Sequence, residues 1–146
     1  MRRKHAAFGL DRYAAGMSNL IRSHRQLKVY QASFAASDRV FKLSKQFPRE
    51  EMYSLTDQIR RSSRSVTTGI AEAWRRRRYE AAFVNKLNES EAEAAETQVW
   101  LEHAVSCGYL AKEPARELYR EYEAVIKMLV GMSLNAEKWV LPPRRT

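Results

Sequence analysis

The sequence predicts an all-α fold, an antiparallel up-down-up-down four-helix bundle. Three observations predict it. Apolar residues recur at alternating steps of 3 and 4 in four separate blocks, the period of a helix with one buried face. No block shows the strict alternation of a strand. Only 5 glycines and 4 prolines stand among 146 residues, too few for the tight turns of an all-β fold. This length is that of one domain with room for a real core.

The expected organisation is a basic N-terminal extension over residues 1–26, the bundle over 27–140, and a short tail over 141–146. The first helix is expected over residues 29–47. Val29, Ser33, Ala36, Val40, Leu43 and Phe47 share one face, Tyr30, Phe34 and Phe41 form a second apolar stripe, and Pro48 stops the helix. The second is expected to start at once after Pro48, with Glu50 and Glu51 in the first turn where the helix dipole favours acids. Its inner stripe is Met52, Leu55, Ile59, Ser62, Val66, Ile70 and Ala73. Ser62, Ser63, Ser65, Gly69 and Ala71 are small and permit close helix approach. The third runs over about 79–107 with Phe83, Leu87, Ser90, Ala94, Leu101 and Val105 inward, and Gly108 stands as its C-cap. The fourth opens at Glu113 and Pro114 and carries Leu118, Tyr122, Val125, Leu129, Met132 and Ala136 to about Trp139. Short connections between four such helices give the antiparallel bundle.

Charge is placed unevenly within a net of +9. Residues 1–28 carry +6, residues 60–78 carry +6 and residues 80–103 carry −5. A basic surplus gathered in blocks points to nucleic acid or another anionic partner. No apolar run spans a bilayer, and the basic N-terminus lacks the apolar core of a secretory signal. The expected location is cytoplasmic. One cysteine, Cys107, excludes an intrachain disulfide and is expected to be a small buried residue near a loop.

The stretch 58–78 is the candidate functional element. On a straight helix Arg60, Arg61, Arg64, Arg75 and Arg78 fall within an arc of about 100° opposite the inner stripe. Arg60 to Arg75 spans roughly 22 Å of axis, enough to follow several phosphates. Arg76 belongs to the same run, and Arg77 would point inward, so the helix is expected to end or turn near Arg76. Arginine suits phosphate because its planar fork donates two parallel hydrogen bonds and stays charged. A solvated face with Asp57–Arg61 and Glu72–Arg76 pairs is the plainer alternative, although the run 75–78 is denser than helix pairing needs. Glu89, Glu93 and Glu96 are expected to meet arginines of the second helix in the same or the next subunit. They are no metal site, because bundle di-metal centres also want Glu-x-x-His and none occurs. No phosphate-cradling loop, zinc spacing or triad motif appears, so no catalytic residue, metal or cofactor is expected. Trp74, Trp100 and Trp139 read as core or interface rather than base-stacking platforms. A lone bundle needs only one apolar face on its first helix, so Tyr30, Phe34 and Phe41 are expected to form a self-association interface.

The chain from about 27 to 139 resembles the bacterial "four helix bundle protein" family. That family includes proteins encoded by intervening sequences within 23S rRNA genes, and it is similar to the accessory variability proteins of diversity-generating retroelements. The matching pieces are Leu27, Lys28, Val29 and Tyr30; the Phe47, Pro48 break; Gln58, Ile59, Arg60, Arg61 and Ser62; Ile70, Ala71 and Glu72; and Glu96 to Glu102 running on to Cys107, Gly108, Tyr109 and Leu110. Where the family often has asparagine before Ile-Ala-Glu and glycine after it, Gly69 and Ala73 stand here. The resemblance implies a homo-oligomer, typically a ring of five, with a basic surface for nucleic acid and no established enzyme activity. For the retroelement relatives it implies partnership with a reverse transcriptase. Two function classes follow: a non-catalytic binder of structured RNA or hybrid duplex, and a scaffold that docks an acidic partner protein without touching nucleic acid.

Overall fold

The computed structural model describes residues 20–143. The basic residues at 2–4 and Arg12, and the arginines at 144 and 145, lie outside them. Four α-helices carry the architecture: α1 Lys28–Ser44, α2 Leu55–Arg75, α3 Glu80–Ser106 and α4 Lys112–Leu134. Each packs on its neighbour in sequence, and α1 closes onto α4, so the four form a bundle. There is no strand among the described residues.

A turn of 3-10 helix at His24–Gln26 precedes α1. Ser23 and Gln26 form a reciprocal capping box over it, satisfying backbone N–H groups that the short helix leaves free. Ile21, just ahead of this cap, is buried in the core, so packing begins upstream of residue 27. Helix α1 stops at Ser44, earlier than expected, yet Phe47 is still buried by the turn that follows. Helix α2 does not start directly after Pro48. Residues Arg49–Glu51 form a 3-10 turn, and the non-helical backbone of Ser54 (φ −127°, ψ −101°) delays the helix to Leu55. Met52 is therefore 48% exposed and lies off the inner stripe to which its spacing assigned it. The α4 helix ends at Leu134 rather than near Trp139. Asn135 Nδ2 donates back to the Gly131 carbonyl at 2.9 Å, and a 3-10 turn at Ala136–Lys138 follows. Gly108 adopts φ +77°, a left-handed conformation that a side chain would strain, and so closes α3 as expected.

The predicted inner residues of α1, α3 and α4 are buried, except Leu43 and Val105, which are half-buried. Helix α2 buries more than one stripe. Thr56, Ser63, Thr67 and Trp74 join Ile59, Val66 and Ile70, because α2 has α1 on one side and α3 on the other. The extra polar groups are largely paired. Thr67 donates to Ser33 Oγ on α1 at 3.1 Å, and the Ser62 and Thr97 hydroxyls lie 2.8 Å apart across the α2–α3 seam. Two buried hydroxyls, Ser90 and Tyr122, make no hydrogen bond among the described residues. Burial raises the Tyr122 pKa, with the Ser63 hydroxyl beside it working the other way. The small residues of α2 permit the close approach their sizes suggested: a Cβ built on Gly69 would stand 2.1 Å from Ser90 Oγ.

Candidate nucleic-acid interface

Helix α2 turns its arginines away from the core in two groups. Arg60 is half-buried, whereas Arg61, Arg64, Arg75, Arg76 and Arg78 are exposed. The first group, Arg60, Arg61 and Arg64, lines a shallow groove of about 480 Å³ that also takes in Asp57, Ser65 and Thr68. Here α1 shapes the chemistry. Arg60 Nε donates to Ser44 Oγ at 2.8 Å, and the Ser44 hydroxyl donates to the Phe41 carbonyl at 2.9 Å. The Arg60 guanidinium lies 4.8 Å from the Phe41 ring centroid, that of Arg64 5.6 Å and Lys45 Nζ 4.9 Å. None of these three cations has an ion-pair partner among the described residues.

The second group sits where α2 ends. The helix closes at Arg76 (φ −100°, ψ 14°), where an inward-pointing Arg77 required a turn. Arg77 then lies over the Trp74 ring at 3.3 Å, and its Nε donates to the Trp74 carbonyl at 2.8 Å. Its backbone carbonyl accepts from Leu141 N at 2.9 Å, tying the C-terminal segment to the helix exit. Burial, and after it the charge of Arg75, lowers the Arg77 pKa. Arg77 is thus committed to the fold, which leaves Arg75, Arg76 and Arg78 facing solvent.

The expected carboxylate pairings differ in detail. Glu72 pairs with Lys86 on α3 at 2.7 Å instead of with Arg76, and Lys86 also reaches Glu89 at 2.8 Å. No ion pair joins Asp57 to Arg61 among the described residues. No ion pair joins Glu89, Glu93 or Glu96 to an α2 arginine among the described residues: Glu89 meets Lys86 and Glu96 accepts from Trp100 Nε1 at 3.3 Å. Lys86 holds the Glu89 carboxyl low, with Arg76 a smaller cause. Burial and the Glu96 carboxyl push Glu93 up, against the opposing charge of Arg61. Arg60, Arg64, Arg75 and Arg78 have no ion-pair partner among the described residues.

Elsewhere, Tyr30 and Phe34 stack at 6.0 Å, and Phe34 is 49% exposed. Phe41 continues their stripe along α1 but stands beneath the cations. Trp74 is core, and Trp100 and Trp139 are half-buried against it. Cys107 is exposed, contrary to the buried position expected, because α3 ends one residue before it and Gly108 turns the chain outward. No cluster of three metal-ligating side chains occurs among the described residues. None of their helices is long and apolar enough to cross a membrane. Sequence reasoning missed Ser44 and Lys45. For Lys45 the signal was present as spacing, since Phe41 and Lys45, the residue that caps α1, and Arg60 and Arg64 on α2 are both i, i+4 pairs.

The family model described as "23S rRNA-intervening sequence protein" matches residues 25–131. Among solved structures, the chain is similar to a protein with unknown function from the S23 ribosomal protein family of Bacteroides thetaiotaomicron VPI-5482. Sequence identity is 29%, the TM-score is 0.65, and the match covers 72% of this chain and 97% of that one. Neither description names a catalytic activity. A comparison with curated proteins finds no match.

Proposed function

This chain belongs to the 23S rRNA-intervening sequence protein family, and we propose that it is a non-catalytic, homo-oligomeric binder of structured RNA or RNA–DNA hybrid duplex. The observation that carries this reading is the outer face of α2 and the turn at its exit, where Arg60, Arg64, Arg75 and Arg78 have no ion-pair partner among the described residues. Guanidiniums strung along a rigid helix contact backbone phosphates, so binding is weakly sequence-specific and falls steeply with salt. Self-association through Tyr30 and Phe34 multiplies this face by the symmetry of the assembly, and a ring of five is the arrangement proposed.

The test is a triple Arg60→Gln, Arg64→Gln, Arg75→Gln variant titrated with an RNA hairpin at several salt concentrations. The expected result is a shallower log–log salt dependence, by about one unit for each phosphate that the variant no longer neutralises, with the oligomer unchanged by light scattering. An unchanged slope overturns the reading. So does co-purification of a protein partner, a reverse transcriptase included, that survives nuclease and is lost in the triple variant. That outcome makes the arginines a dock for acidic protein.

A further inference from the structure

We infer that Phe41, Ser44, Lys45, Arg60 and Arg64 form a discrete anion site that holds a single phosphate group of the bound nucleic acid on the surface where the end of α1 meets α2. The inference rests on the proposed RNA-binding reading and singles out one place on the arginine face. Three cations converge on one ring, at 4.8, 4.9 and 5.6 Å from its centroid. With all three over one ring, no two of them are farther apart than about 11 Å, close to a Debye length at 0.1 M salt. No ion pair joins any of the three to a carboxylate among the described residues, Asp57 of the neighbouring groove included; like charges gathered this closely repel one another, and an anion between them removes the repulsion.

The geometry also suits the ligand. The Arg60 guanidinium lies over the Phe41 ring, and Ser44 takes its Nε–H. The Nη1 and Nη2 edge remains for two parallel hydrogen bonds to phosphate oxygens. Lys45 supplies a point charge from α1, and Arg64 a second fork one turn along α2. Phe41 is thus a positioning residue: it carries no charge, yet it fixes where two guanidiniums stand. The exit arginines lack such a platform, because the ring there, Trp74, is taken by Arg77. They contribute diffuse attraction only.

The experiment uses the full chain with selectively labelled arginine and two probes, inorganic phosphate and an RNA hairpin. Phosphate at low ionic strength is expected to shift the Nε resonances of Arg60 and Arg64 saturably and to leave those of Arg75 and Arg76 near their starting positions. Phe41→Leu keeps the net charge. It is expected to weaken hairpin binding about fivefold with the salt slope and melting temperature unchanged, while Phe41→Trp restores affinity, since tryptophan is the better cation–π partner. Wild-type hairpin affinity in Phe41→Leu, or phosphate shifts spread evenly over all the arginines, overturns the site while leaving the RNA reading intact. Saturable phosphate shifts at Arg60 and Arg64 in a protein that binds no hairpin support the site and defeat the RNA reading. A polyglutamate peptide that moves the same resonances at lower concentration than phosphate overturns the phosphate assignment in favour of a carboxylate partner.

Discussion

The two faces of α2 are governed by different physics. Its inner face meets α3 so closely that a methyl group on Gly69 would collide with Ser90, and the Ser62 hydroxyl meets that of Thr97 across the seam. Its outer face carries a row of cations, several without any opposite charge. Shape decides the first and charge the second. The flanks of α1 repeat the lesson. On the α4 side, Arg39 pairs with both Glu117 and Glu121. On the α2 side, Lys45 faces Arg60 and Arg64 across Phe41 with no acid between them. The surplus of +9 is therefore not an evenly spread excess. Among the described residues, carboxylates on a facing helix hold Arg39 and Lys86, and none reaches Arg60, Arg64 or Lys45.

The contrast breaks if an inner-face change alters binding by the folded protein. Ile70 is fully buried, so Ile70→Ala is expected to cost about 2–5 kcal/mol in chemical denaturation. RNA affinity measured below the melting transition should stay within twofold of wild type. A larger change in affinity would mean that core packing sets the outer face as well.

A smaller effect sharpens the role of shape. Gly69→Ala gains helix propensity of roughly 1 kcal/mol but forces the Ser90 hydroxyl aside, and overpacking costs about 1–3 kcal/mol. The expected net is a loss of about 1 kcal/mol. Adding Ser90→Ala removes both the collision and a buried hydroxyl without a partner. The double variant should then be at least as stable as wild type, a non-additivity that thermal melts of the four proteins would read directly.

The smallest effect lies at the border of the two faces. Burial and Glu96 raise the pKa of Glu93 above its ordinary value. An acid whose folded pKa is raised favours folding while protonated, below its unfolded pKa near 4.5, and that contribution disappears as pH rises through the folded value. Glu93→Gln should therefore raise the melting temperature relative to wild type at pH 7 and lose that advantage near pH 4. An advantage that does not depend on pH would show that the Glu93 charge is not the cause.

Much of the bundle was legible from spacing. Ile59, Val66, Ile70, Phe83, Leu87, Leu118 and Leu129 fell on inner stripes because a helix of fixed period must bury one face, whatever its neighbours are. The ends were less legible. Met52 fitted the period but lies outside α2, because the backbone at Ser54 breaks the helix after Pro48 in a way the pattern does not record. Asn135 similarly ends α4 before the last apolar residues of the pattern. Arg60, Arg61, Arg64 and Arg75 were readable as an arc because they sit on one helix, whereas Arg78, assigned to the same arc on a straight helix, lies beyond the end of α2 at Arg75. Which of those arginines are free was not readable, because Lys86, Phe41 and Trp74 come from elsewhere in the chain or beyond the stripe's logic.

By itself, the sequence determined the helical class, the four elements, the basic character of α2 and the family, since each of these is carried by local period, local charge or matched short motifs. Only the tertiary structure decided that Arg77 belongs to the fold, that Glu72 answers Lys86, and that Phe41 gathers three cations beside Ser44. The physical reason is that a residue's charge and period are written in its own stretch of chain. Whether that charge is neutralised depends on which distant side chain packing brings to within a few ångströms.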